Sequence, residues 1–149
     1  MKRISGVYLL LMVFFHFLIM YGLMYVMVYK FTDIYPNLNQ LYMAGIMTVS
    51  MLALEMLFMG SMYKNKNIIL GISIIMMVLL FIFIRNQTGI NNKQFLKSMI
   101  SHHSGAILMC KNAPVDNLEI KQLCEKIVPS QQSEIDQMKQ MLKRIDEKF

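Results

Sequence analysis

Residues 98–110 read SMISHHSGAILMC, and they gather Met99, His102, His103, Met109 and Cys110 into one short stretch. Thioether, imidazole and thiolate ligands suit Cu(I) and Ag(I), whereas carboxylate-rich sites favour harder ions. On a helix, residues three, four or seven apart share a face. Met99 lies three residues before His102 and four before His103, and His102 lies seven before Met109. These spacings let Met99, His102 and Met109 line one groove, with His103 and Cys110 beside it. The paired C-x-x-C spacing common in zinc sites is absent. A plainer reading competes. Met99, Met109, Met138 and Met141 at helical spacing suit core filling, and a histidine on such a face suits a hydrogen-bonded structural role.

The elements that would position these residues follow from periodicity. From about Asn91 to Phe149 the pattern is that of soluble amphipathic helix. Phe95, Met99, His102/His103, Ala106 and Met109/Cys110 recur at three- and four-residue spacing. Pro114 ends that helix, and Asp116 with Glu119 forms a capping-box signature for the next. The second helix carries Ile120, Cys124, Ile127, Gln131, Ile135, Met138 and Leu142 on one side, with Pro129 expected to kink or interrupt it. A hairpin turning near Val115–Asn117 pairs residues whose numbers sum to about 230–234. At the upper value Cys110 faces Cys124, His103 faces Gln131 and Met99 faces Ile135. Two readings of the cysteines stand: a structural disulfide, the commoner outcome in an oxidising compartment, or two thiolates serving a Cu(I) site. Two helices of this length cannot bury both faces alone, which implies a dimer forming a four-helix bundle or docking on the rest of the chain.

The rest of the chain is oily. The 149 residues are 56% hydrophobic and 16% charged, with 17 Met and a formal charge of +6, against about a quarter charged in average globular proteins. Three apolar segments, about 5–29, 41–62 and 68–84, approach the roughly 20 residues a spanning helix needs. The first is too long for a signal-peptide core and has no small-residue cleavage site after it. The expected division is a membrane domain over 1–90 and an extracytoplasmic hairpin domain over 91–149. Lys2, Arg3, Lys64 and Lys66 then lie on the cytoplasmic side and satisfy the positive-inside rule, with the N-terminus cytoplasmic. No basic patch with interleaved aromatics occurs, which argues against nucleic-acid binding.

The membrane part carries its own candidate ligands. Met12, His16, Met20 and Met24 recur every four residues in the first span, and Met43, Met47, Met51, Glu55 and Met59 in the second. If the stripes face each other they form a thioether seam in which His16, Met20, Met47, Met51 and Glu55 are candidates for an intramembrane site. An ionisable residue inside a span costs about 2.5–3.5 kcal/mol or more unless it has a partner. Gly22 and Gly45 offer a rival contact that would turn the stripes apart.

Residues 92–145 resemble the bacterial domain-of-unknown-function family number 305. The resemblance rests on M-I-x-H-H-x-x-A-x-x-M, filled by Met99, Ile100, His102, His103, Ala106 and Met109. A second motif, Q-x-x-E-I-x-x-M, is filled by Gln131, Glu134, Ile135 and Met138. Ser101 departs from a common proline, and Pro129 from a usual helix former. The resemblance implies a ferritin-like helical fold and, as in some members, periplasmic copper binding linked to copper tolerance.

The resulting expectation is an all-α, membrane-anchored protein of the bacterial inner membrane. It would bind Cu(I) or Ag(I) through Met99, His102, His103 and Met109, for sequestration or handover. Gln131, Glu134, Met138, Cys110 and Cys124 would support or complete the site. The expected partners are the lipid bilayer, a second copy of the chain, and a copper exporter or periplasmic copper chaperone. The alternative is a non-catalytic structural or interaction module. No nucleophile–base–acid set, phosphate loop or dinucleotide fingerprint appears, so an enzyme is not expected.

Overall fold

The computed structural model describes residues 5–147. Among them are five α-helices and no strand: α1 (Gly6–Leu23), α2 (Leu38–Met59), α3 (Lys66–Arg85), α4 (Asn92–Asn112) and α5 (Leu118–Asp146). Short 3₁₀ turns occupy Phe31–Asp33 and Gly60–Met62. Lys2 and Arg3, on which part of the orientation expectation rests, lie outside the described residues. The chain divides into two compact units, one of residues up to Met24 with Asn39–Gly89, the other of Tyr25–Leu38 with the residues from Ile90 onward.

The first unit holds α1, most of α2, and α3. Gly6–Leu23, Leu38–Met62 and Lys66–Arg85 are each long and apolar enough to cross a membrane. Their outward residues, Leu10, Phe14, Leu57, Ile75 and Phe81 among them, are large and exposed, as a lipid-facing surface requires. At one end Tyr42 Oη donates to the Thr88 carbonyl at 2.9 Å, and its ring meets Phe83 with centroids 5.9 Å apart. At the other, Leu9, Met56 and Tyr63 form a buried cluster flanked by Met12 and Leu52. Just after α3, Gly89 has a φ of 75°, which glycine adopts without steric cost.

The second unit is built on the α4–α5 hairpin. Asn91 caps α4, its side chain accepting from the Gln94 N–H at 2.9 Å. The cap of α5 falls on Asn117 rather than Asp116, because the Asn117 side chain accepts from the Ile120 N–H at 3.1 Å. Leu96, Ile100, Ile107, Ile135, Met138 and Leu142 form the core. Ile100, Ile107 and Ile135 are almost wholly buried. A disulfide joins Cys110 and Cys124, with Cα atoms 5.2 Å apart. It pins the register in which paired numbers sum to 234. The helix continues through Pro129. The missing N–H deprives the Glu125 carbonyl of its i+4 donor, and both residues are exposed, so water can serve that carbonyl.

The connection between α1 and α2 is part of this unit. Helix α1 stops at Leu23 instead of running on to Tyr29, because the following residues have partners on the hairpin. The Tyr29 N–H donates to Ser104 Oγ at 3.0 Å, and Tyr29 and Tyr35 pack against the hairpin core. Asp33 is 1% exposed. Its carboxylate accepts from Ser104 Oγ at 2.7 Å and pairs with Lys139, while its carbonyl accepts from Ser101 Oγ at 3.1 Å. Gln94 closes the far end of the segment by accepting from the Leu38 N–H at 2.9 Å. Gly105 lets the backbones approach, since a Cβ there would stand 3.3 Å from the Met27 carbonyl oxygen.

Candidate metal-binding face

Core packing, the docked segment and the disulfide together account for six of the thirteen residues of SMISHHSGAILMC. Ile100 and Ile107 fill the core, Ser101, Ser104 and Gly105 receive the segment, and Cys110 enters the disulfide. Among the other seven, the side chains able to ligate a soft metal are Met99, His102, His103 and Met109. They divide into two files along α4. Met99 and His103, four residues apart, are half-buried at the border of the core, and Met99 packs against it. His102 and Met109, seven apart, lie on the exposed side, with Met109 53% exposed. The two imidazole rings stand edge to face, their centroids 6.1 Å apart.

His103 is the most constrained of the four. Its side chain is 13% exposed, and Nε2 stands 3.4 Å from Glu134 Oε2. Glu134 in turn accepts from Ser130 Oγ at 3.0 Å. Nδ1 of His103 is buried and has no hydrogen-bond partner, and so is Oε1 of Gln131. The two residues occupy the same level of the 234 register. An unmet buried polar atom costs about 1–3 kcal/mol, so two at one level mark a place where a ligand, a water or a partner group is called for. Burial pushes the His103 pKa below its ordinary value, the Glu134 carboxylate opposes that shift, and the charge of His102 adds to it. The neutral imidazole that results is the form that ligates metal.

The other candidates fall elsewhere. Met138 is 9% exposed and belongs to the core. Cys110 and Cys124 offer no thiolate while bonded to each other. Among the described residues no three His, Cys, Asp or Glu side chains group so as to hold a metal ion, so a site on this face must draw on thioethers or on a second copy.

In the first unit, His16 and Met20 are half-buried on α1 with Met12, as is Met24 at the helix's C-cap. Met47 and Met51 of α2 are 40% and 38% exposed, three and seven residues from the buried Ala44 and so at the margin of that same side of the helix. Glu55 accepts a short hydrogen bond from Tyr63 Oη, and its second oxygen is buried without a partner. Gly45 approaches Leu80 of α3, and nothing lies within 4 Å of a Cβ built at Gly22. The glycines therefore do not pack on each other.

Sequence reasoning passed over Asp33, Ser104, Gly105 and Lys139, and noted Ser101 only as a departure from the family pattern. The available signal was a lone acid between two spans and an S-x-x-S-G run of small residues on α4.

Three apolar helices joined to a disulfide-closed hairpin with a paired-histidine face define a small, all-helical class of membrane-type protein. Residues 85–142 match the family described as Domain of unknown function (DUF305), and the chain belongs to that family. It is also similar to the uncharacterized protein L153 of Acanthamoeba polyphaga mimivirus, 38% identical over 113 residues that cover 74% of each chain. That alignment is far longer than the family domain, after which only seven residues follow, so it takes in part of the apolar N-terminal region. No solved structure matches the chain.

Proposed function

We propose that the protein is a membrane-anchored binder of Cu(I), with Ag(I) as its close substitute, serving sequestration or handover of the metal in copper tolerance. The observation that carries this reading is His103. Its imidazole is held by the fold, kept neutral by burial and left with an unpartnered nitrogen beside His102. Met99 and Met109 would add thioethers, the ligand type that distinguishes Cu(I) from harder ions. Glu134 orients His103 from outside the ligand set, as carboxylates commonly do for metal-bound imidazoles.

The face is open on one protomer, and exposed Phe95, Met109, Leu123 and Met141 surround it with apolar surface. A second copy packing there would complete a four-helix, ferritin-like bundle and double the ligands. The hairpin would lie on the extracytoplasmic side, the N-terminus on the cytoplasmic side, and an exporter or copper chaperone would exchange metal with it. The disulfide supports an oxidising compartment. The same apolar surface also favours a second reading, a non-catalytic module that dimerises or docks on a membrane partner without metal.

Titration of the full chain in detergent micelles with Cu(I), in competition with a chromophoric chelator, separates the two. The first reading expects tight, stoichiometric binding that falls at least 100-fold when His102 and His103 are both replaced by alanine. Weak binding that the double substitution leaves unchanged establishes the second.

A further inference from the structure

The Cys110–Cys124 pair is a cluster of metal-ligating side chains that the histidine face does not use. The pair closes the hairpin beside the α4–α5 turn, with the Cα atoms 5.2 Å apart and both residues half-buried. A solvent-open hollow of about 470 Å³ runs along the two cysteines, lined also by Val115, Lys121, Glu125 and Val128. A reductant can therefore reach the bond from solution. Seven residues separate Cys110 from His103 and Cys124 from Gln131. At 1.5 Å per residue that is about 10 Å along each helix, too far for one metal ion to be shared between the two levels.

As a disulfide the pair presents no thiolate. A dithiol reductant, small or protein-borne, breaks the bond by exchange. Its own two sulfurs become a disulfide, two electrons and two protons pass to the chain, and Cys110 and Cys124 become thiols. Ile107 and Val128 pack in the adjoining core, so the thiols stay opposite each other on α4 and α5. Two facing thiolates are a ligand pair for a soft monovalent cation. Binding releases both thiol protons and leaves a net charge of −1, in a hollow whose wall carries one cation, Lys121, and one carboxylate, Glu125.

We infer that Cys110 and Cys124 form a redox-gated second soft-metal site, closed as the disulfide and open as the dithiol, which then takes one Cu(I) or Ag(I). It shares the metal class of the proposed function but none of its ligands.

The test uses the full chain in detergent. One sample is left oxidised and one is reduced with a phosphine, which is removed under nitrogen before Cu(I) is titrated against a chelator. The reduced chain should bind one equivalent more than the oxidised chain. Cu(I) should also protect both cysteines from alkylation by iodoacetamide, read by mass spectrometry on the unmodified sequence. Cys110→Ser and Cys124→Ser should each abolish the extra equivalent, while the double alanine variant of His102 and His103 retains it. Equal stoichiometry in the two redox states overturns the inference. So does an extra equivalent that survives Cys110→Ser, or alkylation as fast with Cu(I) as without. An oxidised chain that binds no copper but gains one equivalent on reduction refutes the histidine-face reading and leaves this one standing.

Discussion

Replacing Asp33 by alanine tests whether the segment between α1 and α2 is held to the hairpin as described. The carboxylate is 1% exposed and accepts from Ser104 while pairing with Lys139. Loss of a hydrogen bond to a charged acceptor costs about 1.5–3 kcal/mol, and removing one member of a buried pair about 3–5 kcal/mol. The Lys139 side chain is 29% exposed, so its ammonium can turn to water and the lower end applies, about 3 kcal/mol in all. Asparagine keeps an acceptor for Ser104 and should cost about half as much. The Ser101 bond to the Asp33 carbonyl is backbone-based and survives both changes.

The readout is amide exchange at Tyr29, whose N–H donates to Ser104 Oγ. For local opening, about 3 kcal/mol is roughly a 100-fold faster exchange and half of that roughly 10-fold. Peptides from the core stretch of α4 around Ile100 should change far less, since the hairpin keeps its own core and disulfide. Exchange at Tyr29 within twofold of the unmodified chain in Asp33→Ala would refute the reasoning.

Truncating Ile135, which is completely buried, to alanine should destabilise the hairpin by about 2–5 kcal/mol, seen as a lower denaturant midpoint for α4–α5 by exchange. Reducing the disulfide reopens a loop of 14 residues' separation and should cost about 3 kcal/mol on the chain-entropy account. A thermal midpoint unmoved by reduction would contradict it. His103 has a folded pKa below its unfolded value, so the unfolded chain binds more protons in that window. Stability of the metal-free protein should therefore be full above about pH 6.5 and fall as pH drops through the folded value. Thermal melts at stepped pH check this, and His103→Gln should flatten the profile.

Much of this architecture was legible in the sequence, for reasons that are local. Three apolar runs bounded by Lys and Arg indicated three helices of spanning length, and the 3.6-residue pattern with Pro114 and the Asp116/Glu119 signature indicated the hairpin, whose cap falls one residue later at Asn117. Its register was bounded by the turn near Val115–Asn117 to sums of about 230–234, and the Cys110–Cys124 disulfide selects the upper value. The docked segment could not be read the same way. Asp33 meets Ser101, Ser104 and Lys139 across 68, 71 and 106 residues, and no periodicity links a 3₁₀ turn to a distant helix face.

The same blindness affected the site. Met99, His102 and Met109 satisfy helical spacing, yet the core of α4 lies towards Leu96, Ile100 and Ile107 and leaves Met99 with His103 half-buried and His102 with Met109 exposed, one thioether and one imidazole in each file. The methionines of α2 are a parallel case. Their four-residue spacing was visible, but Met47 and Met51 stay partly exposed while Met56, outside that file, is buried with Ala44, Thr48 and Ala53.

The claim that organises all of this is that the His102–His103 face holds a soft metal. Its most direct test is the metal content of the full chain purified, with its disulfide intact, from copper-supplemented cells. The account predicts co-purifying copper at a fixed ratio to protein, lost when His102 and His103 are both alanine while helix content and the disulfide are retained. Copper absent from the unmodified chain, or present in equal amount in the double variant, would contradict it.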